Sequence, residues 1–199
     1  MTPFALTPYN YNRETYAWWD GTFNEDEINY LQNKAKTQTD FAMVGGADNG
    51  GSLVPEVRRS EITWLKNDQN DGWVFERLAH VVSSLNSQFF NFDLTCFGEA
   101  IQLTNYHEDY NGMYDWHVDF GTNTSSPCRK LSIVLQLTDP VDYEGGVLEL
   151  KPHSDQAVKI SKKKGLLVAF PSWTLHRVTP VTKGFRQTLV AWITGPAFK

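Results

Sequence analysis

The sequence predicts a mainly β protein with supporting helices, built as an antiparallel two-sheet barrel with helices packed on one side. Three observations predict it. From Cys96 onward, short apolar runs alternate with turn residues at regular intervals. Upstream, two stretches carry apolar residues at helical rather than alternating spacing. Finally, 41% hydrophobic residues, 14% aromatic residues and seven tryptophans in 199 positions are enough to bury a real core. A single domain over 1–199 is expected, with 1–95 as helical support and early strands and 96–199 as the core barrel.

Each element has its own justification. Tyr16, Trp18 and Trp19 are expected to pack inward from an early strand. Thr22 or Asn24 can cap a helix whose first turn holds Glu25, Asp26 and Glu27, acidic groups that favour the positive helix end, and Ile28, Leu31 and Ala35 form its inward stripe. Residues 41–55 (FAMVGGADNGGSLVP) hold four glycines and read as a mobile loop, either a linker or a lid. Ser60–Leu65 alternates as a strand does, and Val74, Leu78, Val81, Val82 and Leu85 mark the clearest helix, with His80 off its stripe. The later strands are expected at 100–106, 114–119, 131–137, 147–150, 166–170, 175–178 and 187–194. The turns between them are Asn111-Gly112, Gly121–Pro127, Gly145-Gly146, Lys162–Gly165 and Pro180–Gly184.

A net charge of −5 argues against a nucleic-acid binder that relies on general phosphate attraction. Cys96 and Cys128 cannot form a disulfide framework, and two free thiols fit a reducing compartment. No stretch approaches a membrane span and the start lacks a signal-like apolar core, so a soluble cytoplasmic protein is expected.

The chemistry is carried by histidines. There are five, and three open a His-x-Asp step: His107-Glu108-Asp109, His117-Val118-Asp119 and His153-Ser154-Asp155. In an extended strand the first and third residues of such a step share a face. The middle one is favoured because Tyr114, Trp116 and Phe120 surround it with apolar bulk, whereas the others sit in polar, turn-like runs. A second histidine from a distant strand, His176, would complete two imidazoles and a carboxylate on one side of a metal. That set, with its remaining positions open, is the pattern of non-heme Fe(II) oxygenases. Ten residues later Arg186 is expected on the neighbouring strand of a hairpin turning at Pro180–Gly184, where its guanidinium could grip a carboxylate bidentately.

Taken together, Tyr106, Tyr114, His117-x-Asp119, Arg129-Lys-Leu-Ser132, Tyr143-Glu-Gly-Gly-Val-Leu148, Gly165–Pro171, His176, Arg186 and Trp192 resemble the 2-oxoglutarate- and Fe(II)-dependent dioxygenases, in particular the prolyl 4-hydroxylase-like branch. The resemblance implies a double-stranded β-helix, a jelly-roll or cupin-like barrel. It implies iron on His117, Asp119 and His176, and 2-oxoglutarate anchored by Arg186 with help from a tyrosine hydroxyl, Tyr106 or the competing Tyr110. O2 is the oxidant and ascorbate a candidate reductant. Hydroxylation of an unactivated C–H would release succinate and CO2, with peptidyl proline the leading substrate and no nucleic acid or membrane as partner. Tyr110, Tyr114, Trp116 and Trp173 are candidates to line the substrate mouth, with Trp192 packed behind the site. Another residue, a free amino acid, a small metabolite or an alkylated nucleobase are alternative substrates. Further alternatives are a cupin-like metal- or sugar-binding barrel without turnover, and a zinc hydrolase.

Overall fold

A computed structural model describes residues 14–45, 51–120 and 128–197. Its strands are β1 (Ala17–Trp19), β2 (Asp40–Phe41), β3 (Arg58–Arg59), β4 (Glu61–Leu65), β5 (Cys96–Phe97), β6 (Ile101–His107) and β7 (Met113–His117). They continue as β8 (Cys128–Gln136), β9 (Tyr143–Gly145), β10 (Leu148–Lys151), β11 (Val158–Lys159), β12 (Leu167–Pro171), β13 (Leu175–Val178) and β14 (Val181–Gly195). The helices are α1 (Glu25–Lys34) and α2 (Gly72–Leu85).

Asn24, rather than Thr22, caps α1. Its side chain accepts from the Glu27 backbone N–H while the Glu27 carboxylate accepts from the Asn24 N–H, a reciprocal box that satisfies two otherwise unpaired donors. Helix α2 buries Val74, Phe75, Leu78, Val81, Val82 and Leu85, the expected stripe, and His80 is exposed. It runs into a π-helical turn, Asn86–Phe90, that ends on Asn91 in the left-handed region.

Among the described residues the strands form two antiparallel sheets. The larger runs β1-β12-β8-β14-β6-β4-β2, with β5 and β9 also paired to β14; the smaller runs β11-β10-β13-β7-β3. Two apolar clusters result. One lies between the large sheet and the helices, and the other, holding Tyr106, Val134, Tyr143, Leu148, Leu150, Phe170 and Val178, lies on the interior side.

The central strands are buried on both faces, yet the faces differ in kind. On β8, Leu131, Ile133 and Leu135 belong to the helix-side core, while Ser132, Val134 and Gln136 alternate with them. On β14, Leu189, Ala191 and Ile193 face the helices, and Arg186, Thr188, Val190 and Trp192 take the other face. The period-2 geometry of a strand thus separates a uniformly aliphatic side from a chemically varied one.

Two expectations are corrected. Residues 180–184 do not close a hairpin within one sheet: β13 belongs to the small sheet, whereas β14 begins at Val181 and pairs in the large one. The chain changes sheets there because Pro180 cannot donate to a ladder and its carbonyl instead accepts from the Gly146 N–H. Trp18 does not pack inward but is 63% exposed. Of the glycine-rich loop, Val44 and Ser52 bridge each other, while 46–50, like the 121–127 turn, lie outside the described residues.

Candidate active site

The register of β13 on β7 sets His176 directly opposite His117. Asp119 follows the end of β7 and is held by its backbone N–H, which donates to Ser172 O at 2.9 Å in the turn after β12. The His117, Asp119 and His176 ligand atoms lie within 4.8 Å of one another. His117 Nε2 is 3.6 Å from Asp119 Oδ1 and His176 Nε2 is 3.5 Å from Asp119 Oδ2.

The tautomers follow from the partners. His117 Nδ1 lies 2.7 Å from Asp115 O, and His176 Nδ1 lies 2.9 Å from Thr174 O. A carbonyl only accepts, so in the neutral rings each Nδ1 carries the proton and each Nε2 presents a lone pair. Burial, then the neighbouring His176, pushes His117 down to about 3, so its ring is neutral near pH 7. Burial alone would raise Asp119, but His176 and His117, the Trp192 indole and the Ser132 hydroxyl outweigh it and hold the carboxyl below its usual range. With both rings in their neutral form, two imidazole lone pairs and a carboxylate converge on one point. Such an all-acceptor cluster repels itself unless a cation sits within it, so the residues present fit a divalent metal.

Surrounding groups fix this cluster. The Ser132 hydroxyl donates to Asp119 Oδ2 at 2.8 Å and lies 3.0 Å from Ser172 Oγ. Arg129 donates to Asp119 O at 3.3 Å, forms a bidentate pair with Glu99 (2.7 and 2.6 Å) and lies 3.9 Å over the Trp192 ring. Tyr114 stacks on His117 with centroids 3.4 Å apart, and the Arg58 guanidinium covers the other ring at 4.6 Å.

Arg186 reaches the interior from the large sheet. It is 1% exposed, and its Nη2 donates to Gln136 Oε1 at 3.2 Å. Among the described residues its Nε and Nη1 have no hydrogen-bond partner, and the buried Tyr143 hydroxyl lies beside the guanidinium. Unpaired buried donors of this kind are costly, so a cluster of them marks a place where an anion belongs. Gly146, at φ +55°, gives the guanidinium stem room: a Cβ there would lie 2.8 Å from Arg186 Cδ. Tyr106 is the cross-strand partner of Arg186, and its ring sits 5.1 Å from the guanidinium.

A family model described as the 2OG-Fe(II) oxygenase superfamily matches residues 101–194, the stretch that contains all of these groups. The stretch that carries the cluster and Arg186 is thus similar in sequence to the 2OG-Fe(II) oxygenase superfamily. A PKHD-type hydroxylase from Acidovorax ebreus is 35% identical over 161 residues, covering 74% of this chain and 65% of that protein. One from Synechococcus sp. strain CC9311 is 45% identical over 82 residues, covering 41% of this chain and 36% of that protein. The chain therefore spans less than two thirds of the length of these relatives. In fold the chain is similar to a Pseudomonas putida prolyl-4-hydroxylase (TM-score 0.71, 18% identity, 92% and 94% of the two chains). It is equally similar to a Trichoplax adhaerens prolyl hydroxylase solved with a hypoxia inducible factor peptide fragment (TM-score 0.71, 20% identity, 90% and 83%). The architecture is the double-stranded β-helix.

The other candidates fall away from this centre. His107 stacks on Phe185 with centroids 4.1 Å apart, and Asp155 lies in an exposed turn 3.9 Å from Lys151. Trp116 does not line the mouth: it alternates with His117 and lies on the outer face of the small sheet, with Arg177 and Lys151 at 4.6 and 4.7 Å. Tyr110 packs on Phe41 and His107, and burial pushes its phenol up. Trp173 is half-exposed beside Phe92. Sequence reasoning passed over Glu99, Gln136 and Lys162, and it quoted Tyr143 and Ser132 without giving them roles. For the last two, the family-like runs Tyr-Glu-Gly-Gly and Arg-Lys-Leu-Ser were the available signal.

Proposed function

We propose that this protein is an Fe(II)- and 2-oxoglutarate-dependent dioxygenase that hydroxylates an unactivated C–H, with a prolyl residue in a peptide or protein as its substrate. The observation that carries the reading is the pairing of an all-acceptor His117–Asp119–His176 cluster with a buried Arg186 whose Nε and Nη1 lack partners. A metal fits the first and a carboxylate the second, and a small 2-oxo dicarboxylate would join them.

His117, Asp119 and His176 would hold the iron through Nε2 and carboxylate oxygens. When bound, Fe(II) with 2-oxoglutarate and O2 supplies the oxidative chemistry, yielding succinate, CO2 and one hydroxyl on the substrate. The chain's own part is to bind, orient and exclude water. Arg186 would fix the distal carboxylate of the co-substrate, with Tyr106 against the guanidinium. Ser132 and Trp192 would keep the Asp119 carboxylate ionised and correctly turned, and Arg129 would hold its backbone carbonyl. No side chain needs to act as a base toward the substrate carbon.

The prolyl substrate is supported by the PKHD-type hydroxylase relatives and by the peptide complex of the Trichoplax neighbour. Tyr114, stacked on His117, supplies an aromatic wall beside the cluster, and the half-exposed Phe120 follows Asp119 directly. The free thiols of Cys96 and Cys128 support a reducing, cytoplasmic setting, and no described helix is long and apolar enough to cross a membrane.

The test is succinate production with Fe(II), ascorbate and 2-oxoglutarate, with and without a proline-rich peptide, read alongside peptide mass. A gain of one oxygen on proline, dependent on 2-oxoglutarate, is expected. Turnover stimulated only by free amino acids, small metabolites or alkylated bases would overturn the substrate. Oxygen-independent hydrolysis would overturn the reaction.

A further inference from the structure

Lys162 lies in the turn before β12. Its residue lines a surface cleft of about 640 Å³ together with Phe23, Glu25, Ile28 and Asp139. Lys162 Nζ donates to Tyr143 O at 3.0 Å and sits 3.7 Å from the Tyr143 ring centroid, on the ring whose hydroxyl is buried beside Arg186. The next two lysines behave differently: Lys163 pairs with Asp20 and Lys164 with Glu25 at the surface. No carboxylate lies within ion-pair distance of Lys162 among the described residues. Burial, then the Arg186 guanidinium, lowers the Lys162 ammonium, against a smaller opposing pull from Glu144. Two cations thus share one partly dry region, and neither is neutralised by a contact carboxylate.

We propose that Lys162 is a specificity-determining residue of the co-substrate cavity: its ammonium, laid on Tyr143 beside Arg186, supplies a second positive charge that favours a 2-oxo acid with a distal carboxylate over one ending in a neutral group. The inference rests on reading Arg186 as the carboxylate anchor. Arg186 contributes directional donors, whereas Lys162 acts through space and through the ring it covers. The two like charges repel, which is why the guanidinium lowers the ammonium, and a carboxylate bound beside them relieves that repulsion.

Calorimetric titration of the Fe(II)-loaded protein without oxygen separates the two claims. The probes are 2-oxoglutarate and 2-oxopentanoate, equal in length but with a methyl end in place of the distal carboxylate. Lys162→Met is expected to weaken 2-oxoglutarate binding by about fivefold to tenfold, the scale of one partly screened charge. It should leave 2-oxopentanoate unchanged, and Lys162→Arg should restore wild-type affinity. Equal weakening for both acids would make Lys162 a mere brace for Tyr143, and 2-oxoglutarate affinity kept within twofold would make it a bystander; either overturns the proposal. Lys162→Gln provides the same readout if the methionine variant does not fold. Arg186→Met should abolish the preference for 2-oxoglutarate. If it does not, the anchor reading fails, whereas loss in Arg186→Met with no change in Lys162→Met removes Lys162 alone.

Discussion

At the scale of single residues, the two ring nitrogens of His117, and likewise of His176, have separate tasks. Nδ1 is occupied by a carbonyl two residues upstream, so only Nε2 faces Asp119. His117→Ala should therefore abolish turnover and lower iron retention, measured as metal content after desalting. Arg186→Ala should retain iron and raise the 2-oxoglutarate requirement by about 10²-fold or more, because charge-assisted hydrogen bonds are each worth roughly 1.5–3 kcal/mol; steady-state kinetics checks this. His117 also makes the metal-free protein sensitive to acid. Its folded pKa, about 3, lies below the ordinary 6.5, so between these values the unfolded chain binds the extra proton. This contribution to stability is present above pH 6.5 and is lost as pH falls toward 3. Melting of the apoprotein should decline over that window, and His117→Gln should flatten the slope.

At the scale of the element, strand alternation decides what can change. On β8 and β14 one face is aliphatic against the helices and the other carries Ser132, Gln136, Arg186 and Trp192. Gly146 shows how tightly the second face is filled. At φ +55° and with only 2.8 Å to Arg186 Cδ, Gly146→Ala should cost about 1–3 kcal/mol in melting experiments and raise the 2-oxoglutarate requirement in parallel. Alternation also explains what the sequence revealed. His117 with Asp119, the distant His176 and Arg186 could be picked out because each is a rare residue type at a chemically meaningful spacing. Gln136, Glu99 and Lys162 could not. Their neighbours in space come from other strands, and an isolated glutamine, glutamate or lysine usually means a solvated surface. The 180–184 turn misled for a related reason: turn residues signal a reversal but not whether the next strand rejoins the same sheet.

At the scale of the molecule, the helices and the chemistry share one sheet but not one face. Leu78 of α2 is fully buried in the helix-side cluster, away from the interior groups. Leu78→Ala should cost about 2–5 kcal/mol of stability, lowering the melting temperature, yet leave 2-oxoglutarate affinity unchanged in protein that remains folded. A matching loss of affinity would mean that the sheet transmits strain between its sides. The fold itself was legible from the change of hydrophobic period near residue 96, since a helix-backed sheet needs one aliphatic face throughout. The division of the later strands between two sheets was not, because strand pairing is set by contacts far apart in the sequence.

The pinning of both imidazoles by their own strands reaches beyond ferrous iron. A site whose rings are already aimed pays little to receive a guest, and two imidazoles with one acid group would take Co(II) and Ni(II) more tightly than Fe(II), admit Zn(II), and hold Mn(II) more weakly. Occupancy in the cell would then be decided by which ion is most available. Foreign divalent ions should silence the protein by simple displacement, without unfolding it.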